Sequence, residues 1–273
     1  MKKSNSCNLR IFLPLLFLLG FSSKLFAINP GRDYYLSPDS LGLQYQEVRL
    51  NTSDNLSLNC WDISTDSLKN KNTSIVIAYG DSGNMGSNLF LAKTLSNEGY
   101  KVILFDYRGF GKSDDFVIQK DMLYYNEFCE DLKTVLNYAK KRYPQHKTGI
   151  FGLSMGTAIA IQTVQKKEID FLIGDGVIYD PTIIKNRLLS LFNKEVRLPG
   201  GAEKVKTLYS TNQTKILLFA GRQDIITNLA DAEEILKLNS QITTLVTYVG
   251  NHLAAEDSLG TELFLEKIRQ FLK

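Results

Sequence analysis

Histidine is scarce in this 273-residue chain: there are two, His146 and His252, beside three cysteines, one tryptophan and six prolines. So few soft ligands offer no metal-site spacing, and no metal or cofactor is expected. Any imidazole chemistry must run through one of two positions. Long apolar runs are lacking too. The N-terminal run Ile11 to Phe21 (IFLPLLFLLGF) stops at 11 residues, and a membrane helix needs roughly 20. No repeat, low-complexity tract or Pro/Ser/Gly linker divides the chain. Neither sign of charge dominates, with a formal net charge of +3, and no basic stripe points to nucleic acid.

The small positive excess is local. Lys2, Lys3 and Arg10 precede the apolar run, and small residues follow it up to Leu25-Phe26-Ala27. That is the layout of a secretory signal peptide. The reading is a signal peptide over 1–27 and one domain over 28–273, exported to the periplasm or the medium. The alternative is an uncleaved N-terminal anchor, which would supply the only membrane contact. Removing residues 1–27 takes four of the 32 basic residues and no acid, leaving 28 against 29. Cys7 leaves with that segment. Cys60 and Cys129 remain, and an oxidising compartment permits them to pair; free buried thiols are equally ordinary.

From residue 46 onward strand and helix signals alternate. Gln46–Asn51 and Ser57–Trp61 read as a hairpin turning at Ser53-Asp54-Asn55. Further strands fall at Ser74–Tyr79, Lys101–Phe105, Thr148–Leu153, Phe171–Ile178, Lys215–Phe219 and Thr243–Val249. Helices are expected near Ser87–Asn97, Asp121–Arg142, Ser154–Gln165, Leu229–Leu238 and Glu262–Leu272. Such alternation predicts an α/β fold, a doubly wound, mostly parallel sheet with helices on both faces. Residues 181–212 carry little pattern and leave room for a small helical cap or none. Ile183, Ile184, Leu188, Leu189, Leu191 and Phe192 would there face either an acyl chain or the core.

Gly152-Leu153-Ser154-Met155-Gly156 matches G-x-S-x-G, at the end of one strand and the start of a helix. A sharp strand-to-helix turn needs small neighbours and exposes the serine hydroxyl above the sheet. The other reading is a plain helix-capping serine. A serine hydroxyl needs a base. His146 precedes the strand leading to Ser154, so it belongs at the opposite end of the sheet. His252, in Gly250-Asn251-His252, follows the last strand and belongs beside the serine. A carboxylate must orient that base, and Asp224 follows its strand at the same end. Asp175 and Asp180 are weaker candidates, and Asp231 and Asp257 read as helix-flanking acids. The order Ser154, Asp224, His252 is that of nucleophile, acid and base in one large fold family. Gly111-Lys112-Ser113 imitates a phosphate loop, but Asp106 stands where its first glycine belongs.

With these residues on the page the chain resembles the α/β-hydrolase superfamily. It is similar in particular to the small branch with a His-Gly-Asn-Ala-Gly-Asn oxyanion loop. The matching text is Tyr79-Gly80-Asp81-Ser82-Gly83-Asn84, FDYRGFGKS from Phe105 to Ser113, the GLSMG elbow, GRQD and GNH. The resemblance implies eight strands and a serine hydrolase acting on small acyl esters or thioesters through an acyl-enzyme. It also implies an oxyanion hole made by the backbone amides of Asp81 and Met155. A catalytically silent binding protein, an acyltransferase and a peptidase of the same fold are the alternatives. Tyr79 replaces the branch's histidine and Asp81 its asparagine. A carboxylate beside an oxyanion needs compensation. The expectation is that Asp81 turns toward the Ser82 and Asn84 amides, rather than pairing with a cation such as Arg108.

Overall fold

Aliphatic and β-branched residues fill the strand signals, and those strands are the interior of the protein. The computed structural model describes residues 26–65, 68–164 and 168–273. Eight strands among them form one sheet: β1 (Tyr45–Asn51), β2 (Ser57–Ile63), β3 (Thr73–Ala78), β4 (Lys101–Phe105), β5 (Lys147–Leu153), β6 (Phe171–Asp175), β7 (Lys215–Gly221) and β8 (Thr243–Tyr248). Their spatial order is β8-β7-β6-β5-β3-β4-β2-β1. The β1–β2 hairpin runs antiparallel, β2 lies antiparallel to β4, and β3 to β8 are parallel. Every residue of β3, β4 and β6 is buried, as parallel strands covered on both faces require.

The helices are α1 (Leu89–Glu98), α2 (Glu127–Arg142), α3 (Met155–Thr163), α4 (Pro181–Phe192), α5 (Val205–Thr211), α6 (Leu229–Leu238), α7 (Ala255–Leu259) and α8 (Thr261–Leu272). They flank the sheet, with α2 packed on α3 and α1 on α8. No helix among the described residues is long and apolar enough to cross a membrane. Most of the expected signal segment lies outside the described residues. Its last two residues do not: Ala27 is buried, and its amide donates to the Lys120 carbonyl. Cys60 and Cys129 are both free thiols.

Three boundaries differ from expectation for physical reasons. Helix α2 begins at Glu127 rather than Asp121, because residues 121–123 are pinned sideways. Asp121 pairs with Arg197 at 2.6 Å, and the Leu123 amide donates to the Arg197 carbonyl. Strand β6 ends at Asp175 because Gly176 takes φ +66 and turns the chain. The weakly patterned stretch 181–212 contains α4 and α5. Asp180 caps α4 by accepting from the Thr182 amide, Pro181 sits in its first turn, and Asn193 closes it at φ +50. Of these two helices α4 borders the cavity, and α5 packs against α3 and α6.

Candidate active site

Parallel strands end on the same side, so loops after β3, β5, β6, β7 and β8 converge there. Ser154 lies between β5 and α3 with φ +48 and ψ −116, a conformation sparsely populated by any residue with a side chain. Gly156 makes the turn possible. A Cβ there would sit 1.8 Å from the Ala78 carbonyl oxygen, and one on Gly152 only 3.0 Å from the Thr157 Cα. The Ser154 amide is held by the Asp175 carbonyl at 3.0 Å.

The hydroxyl so presented meets the second histidine. His252 Nε2 lies 2.9 Å from Ser154 Oγ, and His252 Nδ1 lies 2.8 Å from Asp224 Oδ2. A carboxylate only accepts, so Nδ1 carries the proton, and Nε2 is left as an acceptor for the serine O–H. Asp224 is 3% exposed. Its Oδ1 accepts from the Ile226 and Thr227 amides at 2.8 and 2.9 Å. Burial opposes its charge, but the hydrogen bond and charge of His252, with the Thr227 and Ile226 donors, hold the carboxyl below its usual value. Ser154, His252 and Asp224 are therefore brought together as the order of the three residues implied. His146 is far off, at the amino end of β5, stacked on Tyr143 and 2.9 Å from Ser74 Oγ.

Several residues at the site have roles that the sequence reading did not assign. The Thr227 hydroxyl donates to Asp224 Oδ2 at 2.7 Å and lies 3.0 Å from His252 Nδ1. Asp175 holds the histidine loop from below. Tyr248 Oη donates to its Oδ1 at 2.9 Å, and the Ala255 amide donates to its Oδ2 at 3.3 Å. The same hydroxyl accepts from the Ala254 amide at 3.2 Å. Burial pushes the Asp175 carboxyl up to about 6, against the Tyr248 and Ala255 bonds and the charge of His252. Gly176 leaves room for the imidazole, since a Cβ there would stand 2.7 Å from His252 Cε1. Asp106 is buried behind the loop after β3 and accepts from the Met85 and Lys112 amides. A Cβ on Gly111 would sit 1.9 Å from its Oδ2. The phosphate-loop look-alike is thus a turn wrapped around a structural carboxylate.

Asp81 departs from the expected arrangement. Among the described residues its carboxyl makes no bond to the Ser82 or Asn84 amides. The loop is drawn out as a strand instead: Ser82–Gly83 pairs with Asn29–Pro30, and the Asn29 amide donates to the Asp81 carbonyl at 2.7 Å. An extended segment has no tight turn for the side chain to close. Arg108 is engaged elsewhere, with Asp54 at 2.6 Å and Asp131 at 2.7 Å. Burial pushes the Asp81 carboxyl above its usual range, while its own amide and the charges of Lys194 and His252 oppose that shift.

Asp81, Met155, Ser154 and His252 all line one cavity of about 420 Å³, a size typical of small-molecule sites. Its apolar wall includes Leu123, Ile178, Ile184, Leu188, Phe192 and Ile226. Helix α4 therefore splits its apolar residues. Ile184, Leu188 and Phe192 border the cavity, whereas Ile183, Leu189 and Leu191 are turned outward and partly exposed. The described residues hold no cluster of His, Cys, Asp and Glu fit for a metal.

Strand order, elbow and converging loops give the chain the α/β-hydrolase fold. Residues 69–187 match the family described as serine aminopeptidase, S33. The uncharacterized protein YfhR of Escherichia coli strain K12 is 24% identical over 240 residues, covering 83% of this chain and 80% of that one. The lysophosphatidylserine lipase ABHD12 of Mus musculus is 26% identical over 193 residues, covering 61% of this chain and 47% of the lipase. An uncharacterized membrane protein of Saccharomyces cerevisiae, YNL320W, is 26% identical over 157 residues, covering 57% of this chain and 52% of the yeast protein. Among solved structures, an esterase of Pyrococcus furiosus superposes with a TM-score of 0.73 at 22% identity, covering 90% of this chain and 97% of the esterase.

Proposed function

We propose that this protein is a serine hydrolase that cleaves esters or thioesters of apolar acyl groups. The observation that carries the reading is the unbroken relay from Asp224 through His252 to Ser154 Oγ, opening into a cavity with an apolar wall. Ser154 Oγ attacks the acyl carbonyl as His252 Nε2 takes its proton. The amides of Asp81 and Met155 hold the oxyanion, the second at the positive end of α3. His252 returns the proton to the leaving group, then deprotonates the water that releases the acyl-enzyme, while Asp224 stabilises the imidazolium. The lipase and esterase names among the relatives agree with acyl transfer to water. Esters and thioesters of graded acyl length, given to the purified protein, test the substrate class. A fluorophosphonate probe tests the nucleophile. Absence of labelling at Ser154 would sink the reading and leave a binding protein of the same fold.

Export is part of the same proposal, supported by the basic start and the 11-residue apolar run. Mass spectrometry of the N-terminus checks it: a terminus near Ile28 is expected, and an intact Met1 on membrane-bound protein would favour the anchor.

A further inference from the structure

We propose that the cavity selects esters bearing an anionic group, carboxylate or phosphate, in addition to the apolar acyl chain, and that Lys194 is the residue that selects them. This rests on the serine-hydrolase reading and names the substrate class of that site. Lys194 follows the left-handed Asn193 that closes α4, and it borders the same cavity as Ser154, Asp81 and Met155. Its ammonium is the one Lys or Arg charge on that wall among the described residues. Of the other cations, Lys206 pairs with Asp180 at 3.1 Å and Arg187 with Asp231 at 2.7 Å, while Lys120 Nζ lies over the Phe26 ring, 4.1 Å from its centroid. Lys194 Nζ instead donates to a neutral acceptor, the Phe26 carbonyl, and the proposed cleavage before Ile28 would remove that acceptor and leave the ammonium open to a ligand. Burial lowers its pKa and the charge of Asp81 opposes that shift, as befits a half-desolvated ammonium without a close counter-charge.

The face that α4 gives the same cavity, Ile184, Leu188 and Phe192, is apolar, so the lining combines two chemistries around one nucleophile. A ligand that satisfies both carries a short or folded acyl chain and a negative group within the same 420 Å³. An anion on Lys194 gains a charge-assisted hydrogen bond that a neutral ester cannot make. Asp81 acts in the opposite sense, since its carboxylate repels the same anion. The two residues should therefore move selectivity in opposite directions when neutralised.

The experiment compares two matched pairs of esters of equal acyl length. One pair puts the charge on the leaving side, a glycerol monoester against its phosphate. The other puts it on the acyl side, an alkyl monocarboxylate ester against the half-ester of a dicarboxylic acid. Wild type, Lys194→Met, Lys194→Arg, Asp81→Asn and the double variant Lys194→Met/Asp81→Asn are assayed for kcat/KM on each, with fluorophosphonate labelling and a melting curve for every variant. Wild type should prefer the anionic member of at least one pair, and the pair affected tells which side faces Lys194. Lys194→Met should cut that preference about tenfold or more, the worth of a hydrogen bond to a charge. Lys194→Arg should keep most of it, and Asp81→Asn should increase it. Wild type that labels yet shows no preference in either pair overturns the proposal. So does Lys194→Met slowing charged and neutral esters alike with rescue by Asp81→Asn, which would make Lys194 only the counter-charge of Asp81. Wild type that does not label overturns the underlying hydrolase reading instead.

Discussion

Ser154, His252 and Asp224 act as one unit in the proposed mechanism, so their substitutions should not add. Ser154→Ala, His252→Ala and Asp224→Asn should each lower kcat by three orders of magnitude or more, and a double variant about as far as the worst single one. Additive losses in steady-state kinetics would break the unit apart. Thr227 offers a gentler test. Its hydroxyl bonds Asp224 and contacts Nδ1, so Thr227→Val should cost about tenfold in kcat and little in KM. The residues differ in how legible they are. The grouping of Ser154, His252 and Asp224 could be expected because each follows its own strand, and only two histidines compete for the place beside Ser154. Thr227, Gly176 and Lys194 could not. They meet the site through loops whose paths depend on hydrogen bonds between distant segments, and a threonine, a glycine or a lysine in such a loop carries no pattern of its own. Asp81 was recognised as the anomalous residue, but the Ser82 and Asn84 amides expected to hold its carboxyl do not, because Ser82–Gly83 is drawn out as a strand against Asn29–Pro30.

Elements were legible where hydrophobic period and burial agree. Lys101–Phe105 and Leu229–Leu238 fall where apolar spacing puts them, because each carries one buried stripe or run with polar flanks. Boundaries failed where side chains from far away set them, as the Asp121–Arg197 pair does at the start of α2. Two element-scale consequences can be measured. Strand β3 and helix α3 touch at Gly156, where an added methyl would overlap the Ala78 carbonyl oxygen. Gly156→Ala should therefore fail to give folded, soluble protein, or melt far below wild type; a normally stable variant would contradict the close approach. The loop after β8 is fastened by Tyr248, whose hydroxyl joins Asp175 and the Ala254 amide. Tyr248→Phe keeps the ring and loses both bonds. It should lower kcat about tenfold through a loosened His252, with KM nearly unchanged. Equal change in the two constants would mean that the loop shapes binding rather than the base.

For the molecule as a whole, the site is built on buried carboxylates, and that makes stability depend on pH. Asp175 is 4% exposed, and its pKa rises from 3.8 to about 6 on burial. Below about pH 4 it is protonated in both folded and unfolded chains and contributes its full relative stability. Between about 4 and 6 the folded state keeps a proton that the unfolded state has lost, so stability falls as pH rises through that window. Asp224 works the other way: its folded pKa lies below 3.8, so its contribution is present above that value and is lost in stronger acid. A shift of about two units corresponds to about 3 kcal/mol at most, or several degrees of melting temperature in a chain this long. Asp175→Asn removes the titration while keeping an acceptor for the Ala255 amide. The melting temperature of wild type minus that of the variant should then be largest near pH 4, decline up to pH 6 and level off above 7. A difference flat across that range would show that Asp175 stays ionised throughout, stabilised by Tyr248 and the field of His252 strongly enough to cancel its burial. In that case the charge on Asp175 would be permanent, and Asp175 would join Asp224 as a second fixed negative charge at the site.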